Sequence, residues 1–320
     1  MSPTLPDAVE IDAPAKLNLF LEVHGRRADG YHELVTVMQR VSLADTLRVV
    51  RIPEREVRIS CDAPGVPATA DNLAARGARA VLEELGWPGG VAIALTKRVP
   101  HGAGLGGGSS DAASAMLATV ALFGATIAEP RLGALAAAIG SDVPFFLVDG
   151  VARCLGRGTE IDRTAPGTPF HALVLAPERS LATPLVYRAL ASLPPWTPRD
   201  DHALWRDLET GATADRWAAA MFNRLETAAC LADPVMEALG RALRARFPGA
   251  MMTGSGSAWF VVQTGEPRDA EIASGGDRIP RMDLGAGLPP VRVHAVQGLD
   301  RRPVVRRWSQ FSPMDRPRTP

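Results

Sequence analysis

The 320-residue sequence has very little of three residue types that most proteins use freely. Only two of its 35 basic residues are lysine, Lys16 and Lys97, and it contains two tyrosines and three asparagines. Where arginine supplies the ordinary surface charge, a remaining lysine is a candidate for a role that the bulky, permanently protonated guanidinium cannot fill. These few lysines, tyrosines and asparagines are therefore treated as candidates for function.

Cysteine is scarce as well, and the placement of the cysteines argues against two kinds of structural cross-link. Cys61, Cys154 and Cys230 are odd in number, far apart and in no CxxC arrangement. This pattern speaks against a disulfide framework and against a structural zinc site. We expect three reduced thiols.

Neither an excess of one charge nor a long apolar run is present. Lys plus Arg equals Asp plus Glu at 35 each, so no overall field draws the chain to nucleic acid or to an anionic membrane. The uncharged stretch 112–128 is rich in alanine and interrupted by polar residues, which favours a buried helix over a membrane span. The N-terminal ten residues lack the pattern of a secretory signal. We expect a cytoplasmic protein with no nucleic-acid or membrane partner; protein partners are not predicted.

The length of the chain predicts two domains and a tail. A chain of 320 residues exceeds what one hydrophobic core usually serves, and 46% hydrophobic residues suffice to fold most of it. Three turn-forming residues between Thr164 and Pro169 suggest the boundary. We predict domains at 1–165 and 166–297, followed by a basic, disordered tail at 298–320.

The segment Ala13–Val23 alternates as a strand does. Leucine and valine occupy the odd positions from 17 to 23, so Lys16 and Asn18 project together from the opposite face. These two scarce residues can therefore serve one site.

Other elements follow from periodicity and capping signals. Apolar spacing predicts a helix over Leu73–Leu85, and Asp233 followed by proline predicts the start of another. Phe145–Val148 is read as a buried strand, and Val291–Val296 as the last strand.

Five glycines between Pro100 and Ser110, in the order strand, glycine loop, helix, predict a phosphate-binding turn. Such a loop lets several backbone N–H groups point into one volume, and the helix N-terminus adds positive potential. Of three other readings, two stay open at this point. The GxGxxG spacing is a weak dinucleotide signal without the expected acidic residue, the P-loop pattern fails for lack of a lysine, and a glycine turn without a ligand is the plain structural alternative.

Phosphoryl transfer also needs a proton acceptor and a cation near the moving charge. Asp142 follows a predicted helix end and precedes an apolar stretch, where partial burial would require a cationic partner. Lys16 is the candidate for that partner. The alternative for Asp142 is a simple turn residue.

Taken together, these motifs resemble the GHMP kinase superfamily, and within it the kinases that act on 4-diphosphocytidyl-2-C-methyl-D-erythritol. The resemblance spans about Pro14 to Val296. It rests on six strings in order: PAKLNLFLEVHGRRADGYHEL, DNL, KRVPHGAGLGGGSSDAA, GSDVPFF, NRLE and TGSGSAWF.

The resemblance implies an α+β, two-domain fold, with an N-terminal half like ribosomal protein S5 and a C-terminal half like ferredoxin. The implied activity is ATP-dependent phosphorylation of the 2-hydroxyl of 4-diphosphocytidyl-2-C-methyl-D-erythritol, a step of non-mevalonate isoprenoid biosynthesis. ATP with Mg²⁺ and this small-molecule acceptor are the implied ligands, and no protein ligand of the metal is assigned.

The resemblance also implies residue roles. Asp142 matches the catalytic base and Lys16 the catalytic lysine. The implied ATP-binding residues are Asn72 and the loop Pro100, His101, Gly102, Ala103, Gly104, Leu105, Gly106, Gly107, Gly108, Ser109 and Ser110. The implied acceptor-binding residues are Asn18, Tyr31, His32, Thr183 and Tyr187.

Three positions depart from the family pattern. Thr253 and Ala258 stand where serine and cysteine are usual, and Arg224 replaces an aspartate. Two alternatives to the implied activity stay open: another small-molecule GHMP kinase, or a binding protein on the same fold that has lost catalysis. Tyr31, His32 and Tyr187 argue against the first, because a smaller acceptor has no base to stack.

Overall fold

The computed structural model describes residues 6–167, 169–263, 280–285 and 287–307. Within them the strands are β1 (Ala8–Arg26), β2 (His32–Ile52), β3 (Val57–Cys61), β4 (Gly90–Thr96), β5 (Val151–Leu155), β6 (Glu160–Ala165), β7 (His171–Pro177), β8 (Phe222–Asn223), β9 (Met251–Met252), β10 (Trp259–Gln263), β11 (Arg281–Met282), β12 (Val291–Leu299) and β13 (Arg306–Arg307). The α-helices are α1 (Leu73–Glu84), α2 (Gly107–Leu122), α3 (Glu129–Ile139), α4 (Thr183–Leu190), α5 (His202–Glu209), α6 (Ala214–Trp217), α7 (Arg224–Ala232) and α8 (Pro234–Arg246). Two short 3₁₀ helices cover Pro144–Leu147 and Ala218–Ala220.

A long antiparallel hairpin of β1 and β2 organises the molecule. The two strands pair from Ala8 opposite Val50 to Arg26 opposite His32, with irregularities beside Lys16 and Asn18. The odd-numbered leucines of β1 are buried, as the alternation predicts. On the opposite face Lys16, Asn18 and Glu22 are buried too, because later parts of the chain cover that face.

Strand β12 links the two halves of the sheet. The hydrogen-bonded strand order is β13-β1-β2-β12-β7-β10-β9, and β12 pairs with β7 along its length and with β2 at its end. The short strand β8, from the C-terminal half, adds in parallel to β1. The predicted boundary near residue 165 falls between β6 and β7, yet later segments return to the first sheet; the division into domains stays a prediction.

The largest core cluster joins both halves of the chain. Leu17, Leu19 and Phe20 of β1 pack in one cluster with Phe170, Val174 and the buried Trp217. Other clusters lie under α1 and α2 and between α4, α7 and α8. The sheet face that carries the site is therefore fixed by packing from two sides.

Local helix signals are confirmed. Helix α1 covers all but the last residue of the predicted range, and its N-cap is Asn72, whose side chain accepts from the amide of Ala74. Helix α8 begins at Pro234 with the Asp233 carboxylate accepting from the amide of Val235. Among the described residues, no helix combines the length and apolar character needed to cross a membrane.

Two expectations are wrong. The segment 145–148, read as a strand, is mostly part of the 3₁₀ helix Pro144–Leu147. Pro144 favours a helical first turn, and the Arg40 guanidinium donates hydrogen bonds to the carbonyls of Phe145 and Val148. The predicted disordered tail at 298–320 is wrong for residues 298–307. There β12 extends to Leu299, and β13 pairs with β1, where Arg306 binds acidic residues of that strand. Residues 308–320 lie outside the described part of the chain.

Candidate active site

A cavity of about 710 Å³ opens on the polar face of the β1–β2 hairpin. Its size is in the range of sites for small-molecule ligands. The walls are the glycine loop before α2, the turn at Asp142, the turn before β6, helix α4 and the glycine turn before β10. Its lining includes Lys16, Asn18, Arg26, Tyr31, His32, Thr36, Gly104, Gly106, Ser141, Asp142, Arg157, Thr183, Tyr187, Arg188, Gly254 and Ser255.

Lys16 and Asp142 form an ion pair in this cavity. Lys16 Nζ lies 3.5 Å from Asp142 Oδ2, and the lysine side chain is 4% exposed while that of Asp142 is 34% exposed. The lysine is thus held inside the wall, and the carboxylate faces the open volume. This pairing of a fixed cation with an accessible carboxylate is the arrangement predicted from the sequence.

Asn18 fixes the position of Lys16. Its Oδ1 accepts from Lys16 Nζ at 2.5 Å, and its Nδ2 donates to Thr36 Oγ1 at 2.8 Å. The backbone amide of Asn18 donates to Thr253 Oγ1 at 3.0 Å. Because both ends of the amide are occupied, its carbonyl oxygen is directed at the lysine.

The glycine loop is in direct contact with Lys16. The amide of Lys16 donates to the carbonyl of Leu105 at 2.9 Å. Gly106, the N-cap of α2, has φ of 71°, and a Cβ there would lie 2.9 Å from Lys16 Cγ. Only glycine combines this backbone conformation with this contact. The α2 N-terminus and the lysine ammonium therefore lie side by side.

A second glycine turn closes the opposite side. A Cβ on Gly254 would lie 3.0 Å from the carbonyl of Gly104 and 3.3 Å from Lys16 Nζ. Asn223, one of the three asparagines, donates from Nδ2 to the carbonyls of Met252 and Gly254 at 2.7 and 2.8 Å. This scarce residue anchors the turn and does not line the cavity.

Three aromatic rings gather at the other end of the cavity. The rings of His32 and Tyr187 stack with centroids 4.7 Å apart, and the guanidinium carbon of Arg157 lies 4.9 Å from the centre of the Tyr31 ring. Burial lowers the pKa of His32, with a further contribution from Arg26, and burial raises the pKa of Tyr187 to about 12. Both side chains are therefore neutral near pH 7. Beside them, Thr183 Oγ1 and Ser255 Oγ lie 2.8 Å apart.

The structure brings together part of the predicted set. Lys16, Asp142, all five predicted acceptor residues, Gly104 and Gly106 line the cavity. Asn72 caps α1 and does not line it, and Ser110 is fully buried. The remaining predicted ATP-loop residues surround the lining glycines: Pro100, His101, Gly102, Ala103, Leu105, Gly107, Gly108 and Ser109. All residue roles stay predictions at this point.

Comparisons with known proteins identify the family of the chain. The family model for the GHMP kinases N terminal domain matches residues 72–150. The chain is 40% identical over 257 residues to the 4-diphosphocytidyl-2-C-methyl-D-erythritol kinase of Solibacter usitatus, covering 78% of this chain and 79% of that protein. The Thermus thermophilus protein of the same name is 41% identical over 279 residues, or 86% and 96% of the two chains. The chain belongs to this kinase family.

Solved structures match over almost the whole chain. The crystal structure of a 4-(cytidine 5'-diphospho)-2C-methyl-D-erythritol kinase superposes with a TM-score of 0.70 at 38% identity, covering 91% of this chain and 99% of that one. A homoserine kinase from Cytophaga hutchinsonii superposes with a TM-score of 0.65 at 19% identity, covering 95% and 99%, which is a likeness of fold. The α+β GHMP kinase fold expected from the motifs is confirmed.

Arg224, which departs from the family pattern, forms an ion pair with a buried glutamate. Its guanidinium donates to both carboxylate oxygens of Glu22 at 2.8 Å, and the Glu22 side chain is fully buried. Burial alone would raise the pKa of Glu22, but the hydrogen bonds from Arg224 and from the amides of Arg199 and Val23 lower it. Because the two residues are far apart in the sequence, no local signal could have paired them.

The second lysine also lies in an ion-pair cluster that sequence reasoning missed. Lys97 Nζ lies 2.7 Å from Asp111 Oδ2, contacts Asp45 and is largely buried. Asp45 in turn accepts from the amides of Arg98 and Val99. The cluster ties the segment before the glycine loop to the first turn of α2. The scarcity of lysine was the one available signal.

Proposed function

We propose that this kinase transfers the γ-phosphoryl group of ATP to the 2-hydroxyl of 4-diphosphocytidyl-2-C-methyl-D-erythritol, giving the 2-phosphate and ADP in isoprenoid precursor synthesis. The observation that carries the proposal is the Lys16–Asp142 ion pair, set between a glycine loop and a cluster of aromatic rings in one cavity. Family membership supplies the reaction class, and this geometry supports the assignment of residues.

Asp142 acts as the general base in this proposal. Its partly exposed carboxylate accepts the proton of the acceptor hydroxyl as that oxygen forms its bond to the γ-phosphorus. The bond between the γ-phosphorus and the bridging oxygen breaks, and ADP leaves with that oxygen. The cavity leaves the carboxylate accessible to a hydroxyl of the acceptor.

Lys16 serves two purposes in the same step. Its ammonium holds Asp142 ionised, and it stabilises negative charge on the oxygens of the group in transfer. Asn18 is a positioning residue, because its carbonyl oxygen holds the ammonium 2.5 Å away and thereby restricts where the charge can lie.

The glycine loop before α2 binds the phosphates of ATP in this proposal. Gly104 and Gly106 present backbone to the cavity, and the α2 N-terminus adds positive potential to it. The other loop residues predicted above, from Pro100 to Ser110, shape that backbone. Asn72, at the N-terminus of α1, is assigned to the nucleotide by resemblance to the family.

Mg²⁺ is proposed to accompany ATP. Mg²⁺ prefers oxygen ligands and commonly keeps several waters while bridging phosphate oxygens. Among the described residues no group of three histidine, cysteine or carboxylate side chains could hold a metal, and no protein ligand of Mg²⁺ is proposed. When bound, it neutralises charge on the transferred phosphoryl group.

The cytidine end of the acceptor is assigned to the aromatic cluster. Tyr31 and Tyr187 offer ring faces for stacking, and the neutral imidazole of His32 can both donate to and accept from the edge of a base. Thr183 adds a hydroxyl on the same side. A small acceptor such as a free amino acid would leave these groups without a partner.

The test is a coupled ADP-release assay with ATP and Mg²⁺. We expect turnover with 4-diphosphocytidyl-2-C-methyl-D-erythritol and none with the same methylerythritol phosphate lacking cytidine. Position-specific analysis of the product should place the new phosphate on the 2-hydroxyl. Comparable turnover of both compounds, or turnover of homoserine or mevalonate in place of either, would contradict the proposal.

A further inference from the structure

Three arginines on the cavity wall stand outside the ion pairs of the described residues, although Arg157 helps to lower the pKa of the exposed Asp29. Arg26, Arg157 and Arg188 all line the cavity, and within the described residues none of them forms an ion pair. Many of the other arginines in this arginine-rich chain do form ion pairs with acidic side chains. An unpaired group of like charges facing one volume raises the free energy of the empty site and lowers that of an anion bound there.

The charge of the lining is unbalanced as a whole. Asp142 is the sole carboxylate among the described lining residues, and it is paired with Lys16. The three arginines therefore leave a positive excess in a chain whose formal net charge is zero. His32 adds none near pH 7, because burial and the adjacent Arg26 lower its pKa. The ligand that this wall accepts carries several negative charges.

Each arginine adjoins one of the three rings at the cytidine end. Arg26 is the direct cross-strand partner of His32 in the β1–β2 hairpin. Arg188 follows Tyr187 in α4, and the Arg157 guanidinium lies over the Tyr31 ring. The positive charge is thus placed around the rings, and the glycine loop forms another part of the cavity wall.

We propose that Arg26, Arg157 and Arg188 form a cationic collar that binds the diphosphate bridge of the acceptor. The inference rests on the proposed function, in which the rings hold the nucleoside. With the nucleoside at the rings and the reacting hydroxyl at Asp142, the diphosphate that joins them lies in the cavity that the three arginines line. Guanidinium groups suit this task because their planar donors can engage two phosphate oxygens at once.

The collar makes the diphosphate a determinant of specificity. Arg157 has a second effect, because its guanidinium on the Tyr31 ring also holds the orientation of that ring. Arg26 and Arg188 are exposed, and in the described part of the chain only Arg157 of the three places its guanidinium over a ring, so we assign Arg26 and Arg188 to the phosphates alone. This difference between the three residues can be measured.

The experiment is calorimetric titration with cytidine, CMP, CDP and ADP. The variants are Arg26→Gln, Arg188→Gln and the double variant, with Arg55→Gln as control, an exposed arginine outside the cavity lining. We expect wild type to bind CDP more tightly than cytidine. Each cavity variant should weaken CDP binding about tenfold, with cytidine and ADP within about twofold. Arg157→Gln should weaken both CDP and cytidine.

The outcomes separate the collar from the function on which it rests. If the double variant keeps wild-type affinity for CDP, the collar is wrong while cytidine binding still supports the proposed acceptor. If ADP affinity falls in place of CDP affinity, the arginines serve the phosphates of the donor nucleotide and the collar is again wrong. If wild type binds ADP but none of the cytidine compounds, both the collar and the proposed acceptor are overturned.

Discussion

Lys16 Nζ lies 3.5 Å from Asp142 Oδ2, and the carboxylate is the more exposed of the two groups. The cation is bound to Asn18 and enclosed by the glycine loop, so it cannot follow the carboxylate if the latter moves. This asymmetry gives the two residues separable roles. The base can be removed without disturbing the lysine, and the phosphate loop does not depend on the base.

Asp142→Asn should abolish most of the turnover while leaving nucleotide affinity within a few-fold. The amide keeps the shape of the carboxylate but cannot accept the hydroxyl proton, and loss of a general base typically lowers kcat by about 10² to 10⁴. Steady-state kinetics and ADP titration measure the two quantities. An equal loss of turnover and of ADP affinity would show that Asp142 supports the fold of the site and not the chemistry.

Lys16→Met should lower kcat far more than it raises the KM for ATP. Methionine fills the channel beside Gly106 but carries no charge, so the variant removes the electrostatic contribution, for which about 10²-fold or more is typical. A second variant, Lys16→Arg, keeps the charge and changes its shape and reach. We expect it to be impaired as well, because the side chain is enclosed. Near-native kcat in Lys16→Met would remove this residue from the mechanism.

The parts of the site that lie close together in sequence were predictable from it. Strand alternation placed Lys16 and Asn18 on one face, because the period of a strand is set by the backbone alone. The cap of α8 at Asp233 was likewise local, since the capping bond spans two residues. Their geometry follows from a few neighbouring dihedral angles.

The parts that the sequence could not supply depend on long-range pairing. Glu22 and Arg224 meet because β8 adds to β1, a contact that no periodicity encodes. The prediction of a strand at 145–148 is wrong for the same reason, because Arg40, distant in sequence, donates hydrogen bonds to backbone carbonyls of that turn. Strand β13 likewise pairs with β1, and its Arg306 binds Glu10 and Asp12 near the other end of the chain.

Gly106→Ala should impair catalysis beyond the effect of backbone strain. A Cβ at this position would lie 2.9 Å from Lys16 Cγ and 3.1 Å from both Lys16 Cε and Phe146 Cζ. Gly211→Ala is the matched control, because Gly211 has φ of 69° against 71° at Gly106 and no atom within 4 Å of the added Cβ. Both variants should lose about 1 kcal/mol of stability from the strained backbone. Only Gly106→Ala should lose kcat, measured in the ADP-release assay.

Arg224→Ala should destabilise the fold by about 3 kcal/mol or more. The variant leaves the fully buried Glu22 carboxylate without its cation, and breaking a buried pair from one side costs about 3–5 kcal/mol. Arg241→Ala is the control, because its pair with Glu237 is exposed on one helix face and contributes about 0.5 kcal/mol or less. Urea unfolding gives both values. Adding Glu22→Gln to Arg224→Ala should restore part of the loss, and a further loss of stability would contradict the pairing.

Asp111→Asn should change how stability depends on pH. Burial, together with repulsion from Asp45, raises the pKa of Asp111 to about 7 although Lys97 acts in the opposite direction. The folded state therefore binds this proton more tightly than the unfolded state, whose pKa is 3.8. By linkage, the carboxyl makes wild type lose stability as the pH rises from about 4 to about 7, and the deficit persists above that range.

Asparagine cannot ionise, so Asp111→Asn should lack this loss, and Asp45 remains to balance Lys97. The stability of the variant relative to wild type should rise between pH 5 and pH 8 by at least about 1 kcal/mol. Urea unfolding at several pH values measures the difference, with the exposed Asp215→Asn as a control that should show no trend. A difference that is constant over this range would mean that Asp111 is already ionised at pH 5, with the Lys97 ammonium outweighing both burial and Asp45.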